Sequence, residues 1–171
     1  VCEPLYKKVC DFALEFVHKD NEMSFAGYSL FETDGNGKYK GNLLASDAYM
    51  ADKLASYNIP LDRVRQFIER ILGSWLNGID TPLGVDMMVC DCGGELLLHP
   101  CVEVNLRMNM GLLSRIYFDR YCEPHQMGRL VVEYYPKRGM ALLKHEHMIK
   151  HDPTYRSLTS VSADTQGHVY V

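Results

Sequence analysis

A short segment, CVEVNLR, alternates polar and aliphatic side chains along the chain. Its polar members are Glu103, Asn105 and Arg107, and its aliphatic members are Val102, Val104 and Leu106. A period of two sends the two sets to opposite faces of a strand. Carboxylate and amide oxygens suit Mg²⁺ or Mn²⁺, and a guanidinium fork suits a phosphate or carboxylate oxygen. The polar face therefore indicates phosphate chemistry, and we expect the aliphatic face to be the core.

The preceding strand brings a second carboxylate to the same face. Residues 85–90 read as a strand, and Asp91-Cys92-Gly93-Gly94 as a tight turn that joins it to the returning strand. Facing residues of an antiparallel pair point to the same side of the sheet. A turn centred on the two glycines places Asp86 opposite Cys101 and diagonal to Glu103. Asp86 is therefore predicted to join the polar face.

The polar face predicts a metal site. Asp86 and Glu103 repel each other unless a cation lies between them, and Asn105 adds a third hard oxygen. Arg107 lies where it could contact a phosphoryl group. Two alternatives stay open at this point: an ordinary exposed sheet face, and a phase shift of one residue caused by a bulge at Pro100.

The segment 84–111 resembles the C-terminal lobe of ATP-grasp enzymes, in which an acidic residue on one strand precedes an E-x-N-x-R strand. Carbamoyl-phosphate synthetase and biotin carboxylase carry this form, and D-alanine–D-alanine ligase a shorter one. The resemblance implies that Asp86, Glu103 and Asn105 hold the metal ions bridging the ATP phosphates. It also implies a catalytic role for Arg107, which would steady the transferring phosphoryl group or the acyl-phosphate.

The first residues are similar to the hinge of the same family, which leads into the strand predicted over 10–18. By this resemblance Glu3 and Leu5 lie near the adenine, and Asp11 accepts hydrogen bonds from the ribose. The family also places cationic loop residues near Lys38 and Lys40, and we assign Lys40 to the ATP phosphates. The alternatives are exposed charges at strand ends and a solvated basic edge.

The remaining elements predict an α+β fold, an antiparallel sheet with helices packed on one face. Predicted elements are strands over 24–33 and 128–135, helices over 46–57, 61–76 and 109–121, a short strand over 140–143 and an edge strand at the C-terminus. Turns are predicted over 19–22 and 34–37, and Ser46 and Asn109 are predicted to cap the first and the third helix. We expect the first two helices to cover the aliphatic face, with Trp75 in the core. The third should turn Leu112, Leu113, Ile116 and Tyr117 inward. His145, His147 and His151 lie close together in the sequence after this strand, and a His-x-His pattern offers an alternative metal site.

Composition and net charge limit the classes of partner and location that the chain can have. The chain has 171 residues, 47% of them hydrophobic and 23% charged, and a net charge of −4, so neither nucleic acid nor an anionic membrane is an expected partner. No apolar run reaches membrane-spanning length, and a cytoplasmic location is expected. The six cysteines contain no C-x-x-C pair, although Cys90, Cys92 and Cys101 keep a zinc site open. The chain begins at Val1 and resembles a piece of something longer.

Together these observations predict an ATP-grasp-like C-terminal lobe over 1–122 and an extension over 123–171 packed on the same domain. The implied function is an ATP- and Mg²⁺- or Mn²⁺-dependent ligase, in which ATP phosphorylates a small carboxylate substrate and a nucleophile attacks the acyl-phosphate. The preceding lobe of the family is the expected partner, and without it the chain should turn over nothing. The alternative is a non-catalytic module that binds a nucleotide or a regulatory partner. The substrate pair cannot be read from this sequence.

Overall fold

The computed structural model describes residues 4–171, so Glu3 lies outside the described residues. The strands are β1 (Lys7–Lys19), β2 (Glu22–Thr33), β3 (Tyr39–Leu44), β4 (Thr81–Asp91), β5 (Leu96–Asn105), β6 (Gly128–Tyr134) and β7 (Gly167–Tyr170). The helices are α1 (Asp47–Ala55), α2 (Leu61–Trp75), α3 (Met110–Tyr121) and α4 (Met140–His151). All described strands form one antiparallel sheet in the order β5-β4-β1-β2-β3-β6-β7. The α+β class predicted from the sequence is confirmed.

Two tight turns set up the first three strands. Asp20 and Asn21 both have positive φ, 52° and 63°, and close the hairpin between β1 and β2. Asn and Asp tolerate this left-handed conformation because a short polar side chain can satisfy nearby backbone groups. In the next turn the Asp34 carboxylate accepts hydrogen bonds from the backbone N–H groups of Asn36 and Lys38. Both turns lie where the sequence predicts them.

The main core lies between one face of the sheet and helices α1 and α2. Alternate residues of the two central strands, Phe12, Leu14 and Phe16 on β1 and Val85, Met87 and Val89 on β4, are buried on this face. The helices contribute Met50, Leu54, Ile68 and Leu72. Burying one such side chain stabilises the fold by about 1.5–3 kcal/mol. This arrangement agrees with the prediction that two helices cover an aliphatic face.

The prediction that the aliphatic residues of β5 are core is wrong. Val102, Val104 and Leu106 are 53%, 37% and 53% exposed, because β5 is an edge strand. Trp75 is 74% exposed, and Phe67 on the same helix is also exposed. The buried side of α2 is instead formed by Leu61, Ile68 and Leu72. The apolar stripe of α2 extends beyond the part of the helix that the sheet covers, so Phe67 at its edge and Trp75 at its last residue stay exposed.

The β4–β5 hairpin contains a bulge that preserves the polar face. Near the turn Met88 pairs with His99, as a turn centred on Gly93-Gly94 requires. Beyond it Asp86 pairs with Glu103, so residues 100–102 face the single residue Met87. The proline lacks an N–H and cannot donate to the ladder, which favours a bulge at this position. The two extra residues shift the pairing by two, so Asp86 lies opposite Glu103, not opposite the predicted Cys101.

The C-terminal part of the chain extends the same sheet, since β6 pairs with β3 and β7 with β6. The predicted short strand over 140–143 is wrong, because these residues form the first turn of α4. A four-residue apolar run cannot by itself distinguish a strand from a helix. On the helix His145 turns to the Tyr155 hydroxyl, 2.7 Å from its Nδ1, and His147 contacts His151 instead.

Two further observations concern the residues that the structure describes. These residues contain no group of three or more His, Cys, Asp or Glu side chains placed to hold a metal ion. Neither the cysteines of the hairpin nor the histidines of α4 form such a group among them. In the same residues no helix combines the length and the apolar character that crossing a membrane requires.

Candidate functional site

Acidic side chains from three neighbouring strands lie on the sheet face opposite the main core. Asp11 and Glu15 are on β1, and Asp86 on β4 pairs with Ala13 of β1 on one side and with Glu103 of β5 on the other. Since residues two apart on a strand share a face, all four carboxylates belong to the same surface. We call this surface the acidic face.

A cavity of about 240 Å³ opens on the acidic face. It is lined by Glu15, Ser29, Phe31, Tyr39, Asn42, Asp86, Glu103, Asn105, Arg107, Asn109, Met110 and Gly111. We call it the polar cavity. The structure therefore brings Asp86, Glu103, Asn105 and Arg107 together, although Asp86 comes from a different arm of the hairpin.

Asn105 links two of these residues. It is buried, its Nδ2 donates to Asp86 Oδ2 at 3.3 Å, and its Oδ1 accepts from Arg107 Nη2 at 3.0 Å. The amide therefore orients both the carboxylate and the guanidinium. The Asp86 carboxylate and the Arg107 guanidinium both line the polar cavity. An anion there could contact Arg107 while a cation contacts Asp86.

Electrostatics at this end of the cavity favour a cation. Burial, then the charges of Glu103 and Asp11, raise the pKa of Asp86 to about 6, and Arg107 opposes them only in part. A carboxylate that is hard to ionise for these reasons is stabilised by a nearby positive charge. The donor set of two carboxylates and one amide oxygen fits Mg²⁺ or Mn²⁺. In this structure the Asn105 Nδ2 faces Asp86 and its Oδ1 faces Arg107, so binding an ion through the amide oxygen requires a change at one of these two contacts.

Glu15 and Asn109 both line the cavity. Sequence reasoning did not identify Glu15 as a site residue, and it treated Asn109 as the cap of a helix whose N-terminus lies beside the polar face. Glu15 is 1% exposed. Its Oε1 accepts from Ser29 Oγ at 2.8 Å and its Oε2 from Asn109 Nδ2 at 2.9 Å. Burial raises the pKa of Glu15 to about 7, against the smaller opposing effect of these two hydrogen bonds. The alternation of Asp11, Ala13 and Glu15 was visible in the sequence, but the partner strands were not.

Helix α3 begins at the polar cavity, on the face opposite α1 and α2. Asn109 caps it as predicted, its Oδ1 accepting from the Leu112 backbone N–H at 2.8 Å. The predicted inward positions of Leu113 and Ile116 are wrong, since both are exposed. The buried side is Gly111, Leu112, Ser114, Arg115 and Phe118. A helix that packs on a polar sheet face buries small and polar residues, which a hydrophobic pattern does not detect.

A second cavity of about 430 Å³ lies beside the polar cavity, with Phe31 lining both. Asp11 lines it, and its Oδ2 accepts from Lys8 Nζ at 2.6 Å and from Thr33 Oγ1 at 3.0 Å. Of the other residues assigned to the nucleotide, Leu5 is fully exposed. Lys40 is exposed on β3 and lines neither cavity.

Comparison with known proteins places the fold. No family model and no curated protein matches the sequence. Among solved structures, the chain is similar to N5-carboxyaminoimidazole synthase from Aspergillus clavatus in complex with ADP and the aminoimidazole ribonucleotide, with 11% identity and a TM-score of 0.55 over 98% of this chain and 47% of that one. The ATP complex of the enzyme from the same organism gives 12% identity and a TM-score of 0.55 over 96% and 46%.

A bacterial enzyme gives a similar result. N5-carboxyaminoimidazole synthetase from Staphylococcus aureus matches with 12% identity and a TM-score of 0.50, over 99% of this chain and 47% of that one. The chain thus spans about half the length of the structures it matches. These synthetases are ATP-grasp enzymes, and the match is consistent with their C-terminal lobe. The resemblance drawn from the sequence is therefore confirmed at the level of the fold: this chain has the fold of an ATP-grasp lobe.

Proposed function

We propose that this chain is the metal- and phosphate-holding part of an ATP-dependent carboxylate ligase. The observation that carries the proposal is the meeting of Asp86, Glu103, Asn105 and Arg107 at one cavity. The fold is shared with synthetases whose structures contain ATP or ADP, which supports a nucleotide as the ligand. A cytoplasmic location remains our expectation from the sequence.

The two adjoining cavities suit the two ends of a nucleotide. The polar cavity offers carboxylate and amide oxygens for a divalent ion, and Arg107 for a phosphoryl oxygen. The second cavity is lined by Asp11, whose carboxylate can accept hydrogen bonds from ribose hydroxyls, and by the apolar Val9 and Leu30. Phe31 lines both cavities. A nucleoside in the second cavity would place its phosphates toward the acidic face.

Each residue would have a defined task. Asp86, Glu103 and Asn105 would hold Mg²⁺ or Mn²⁺, which when bound neutralises phosphate charge. Arg107, oriented by Asn105, would stabilise the charge that develops on the transferring phosphoryl group or the acyl-phosphate. The substrate would be a small carboxylate. The half-length match to the synthetases supports the expectation that a second lobe closes the site.

The test uses Mn²⁺ as a spectroscopic substitute for Mg²⁺. Free Mn²⁺ is measured by electron paramagnetic resonance while ADP is added to the chain, and the double variant Glu103→Ala with Asn105→Ala is compared with the wild type. We expect the variant to bind Mn²⁺-ADP at least about tenfold more weakly, because metal affinity depends on these oxygens. Glu95→Ala, which removes an exposed carboxylate from the turn of the same hairpin, is the matched control and should bind normally.

The outcome also separates the two functions proposed from the sequence. If the double variant folds and binds Mn²⁺-ADP as tightly as the wild type, the acidic face is not the metal site and the ligase proposal fails. The chain would then fit the non-catalytic alternative, a nucleotide- or partner-binding module.

A further inference from the structure

The carboxyl group of Glu15 occupies a space that two elements leave open for it. A Cβ atom at Gly111, in the first turn of α3, would lie 1.9 Å from Glu15 Oε1. A Cβ atom at Gly84 on β4 would lie 2.7 Å from Glu15 Oε2 and 2.3 Å from Asn109 Nδ2. A larger residue at either position would therefore force the Glu15 carboxyl group or the Asn109 amide to move. The local sequence of β4 and α3 is fitted to the pair formed by Glu15 and Asn109.

The pair is an unusual choice for a purely structural contact. Burying an ionisable carboxyl group against neutral donors is less favourable than burying an amide or an aliphatic side chain of the same size. Ser29 and Asn109 are both neutral donors. Buried ionisable groups of this kind concentrate at functional sites. The position of Glu15 in the lining of the polar cavity adds a second reason to look for a role in binding.

Asn109 transmits the position of Glu15 to α3. Its Nδ2 donates to Glu15 Oε2, and its Oδ1 accepts from the Leu112 backbone N–H. One amide group thus makes both contacts, and its orientation is fixed by them. The first backbone N–H groups of a helix have no partner inside the helix and carry its positive dipole end. Asn109, Met110 and Gly111 bring this end to the polar cavity.

We propose that Glu15 is a positioning residue, which through Asn109 holds the first turn of α3 at a fixed place opposite Asp86 and Asn105. The cavity then presents an acidic end for a cation and a donor end for an oxyanion, and both can act on one metal-bound phosphate or carboxylate ligand. The inference rests on the proposed function for the identity of the ligand, but the link between Glu15 and α3 can be measured without any ligand.

Exchanging the hydrogen-bond donor and acceptor of the Glu15–Asn109 pair tests the link between Glu15 and α3. In Asn109→Asp two carboxyl groups face each other. They share a proton at low pH and repel once both have ionised, which happens above the wild-type Glu15 pKa of about 7 because each negative charge raises the pKa of the other. Adding Glu15→Gln restores one donor and one acceptor, since the Ser29 hydroxyl can still donate to the Gln carbonyl oxygen. Asp86 and Tyr39, the titratable groups whose charges couple to Glu15, are present in every variant.

The readout is hydrogen exchange at the Leu112 amide, corrected for its intrinsic dependence on pH. In Asn109→Asp we expect exchange at pH 8 to be about fivefold faster than in the wild type, the effect of losing one helix cap, and to approach the wild-type rate at pH 5.5. The double variant Glu15→Gln with Asn109→Asp should stay within about twofold of the wild type at both pH values. Ser46→Asp introduces a carboxylate at the cap of α1 as a control, and the Tyr49 amide should stay protected from hydrogen exchange in it.

A nucleotide measurement completes the test. Mn²⁺-ADP affinity at pH 8 should fall at least about threefold in Asn109→Asp and recover in the double variant. If Leu112 exchange in Asn109→Asp equals that of the wild type, or if Glu15→Gln does not restore it, Glu15 does not position α3. If exchange follows the expected pattern while affinity does not change, α3 is held by Glu15 but takes no part in binding, which overturns the inference. If the wild type binds no nucleotide, the proposed function fails, and Leu112 exchange alone decides the link.

Discussion

The buried carboxyl group of Glu15 should make the stability of the chain depend on pH in a defined direction. Burial raises its pKa from an ordinary 4.5 to about 7 in the folded state. Below pH 4.5 the group is protonated in both states. Between 4.5 and about 7 the folded state holds a proton that the unfolded state has lost, so the free energy of unfolding decreases as pH rises through this window. Glu15→Gln removes this dependence and keeps the size of the side chain.

The magnitude follows from the two pKa values. The interval between 4.5 and about 7 corresponds to roughly 3 kcal/mol, since one pKa unit is about 1.4 kcal/mol. Relative to the wild type, Glu15→Gln should therefore gain up to roughly 3 kcal/mol of unfolding free energy between pH 4 and pH 8. Burial raises the pKa of Asp86 and lowers that of His168, but both residues are present in both proteins. The contribution of His168 cancels in the difference, and that of Asp86 cancels except for its coupling to Glu15, which is the smallest of the effects on the Glu15 pKa.

Urea unfolding followed by circular dichroism from pH 4 to pH 8.5 measures this difference directly. The m-values of the two proteins should agree, so that a change in midpoint is a change in stability. Glu22→Gln, which changes an exposed carboxylate in the β1–β2 hairpin, is the matched control. Its unfolding free energy should vary with pH in parallel with that of the wild type. Parallel curves for Glu15→Gln and the wild type would refute the reasoning, because Glu15 would then titrate as an exposed group does.

Two further predictions concern packing. Gly111→Ala should destabilise the chain by about 1–3 kcal/mol in urea unfolding, because its Cβ would lie 1.9 Å from Glu15 Oε1 and the buried carboxyl group would have to move. Gly73→Ala on α2, whose Cβ would meet its nearest atom at 3.8 Å, should instead stabilise by about 0.5–1 kcal/mol, and equal effects would contradict the tight fit. Trp75→Ala should change the unfolding free energy by less than about 1 kcal/mol, whereas Leu72→Ala should cost about 2–5 kcal/mol. A large loss in Trp75→Ala would place that side chain in the core after all.

Short sequence patterns predicted the turns, the helix caps and the strand faces correctly, because each of these depends on neighbouring residues. The turns at Asp20-Asn21 and Asp34 depend on residues that tolerate unusual backbone conformations, and the caps Ser46 and Asn109 depend on side chains that accept backbone hydrogen bonds. The common face of Asp86 and Glu103 follows from the period of a strand. Each of these features is decided within about ten residues, so the sequence contains enough information to place it.

Features that depend on the order of strands were not predictable. Val104 is exposed because β5 is an edge, and nothing within CVEVNLR reveals which strand lies beside it. The role of Glu15 depends on Asn109, which is 94 residues away in the sequence. The buried Arg115 likewise depends on a distant contact, the Ala45 carbonyl oxygen that it contacts at 2.6 Å. The Glu15–Asn109 pair lines the polar cavity, which is why sequence reasoning found Asp86, Glu103 and Arg107 there but missed Glu15.

The bulge at Pro100 has a consequence for how variants of this hairpin should be compared. A strand alternates sides with every residue, so an insertion of two returns each following side chain to its original side, whereas an insertion of one exchanges them. Chains that differ by two residues here can keep Glu103 and Asn105 above the same sheet surface. Those that differ by one would present Val102 and Val104 there. The length of this arm is thus free to vary in even steps only.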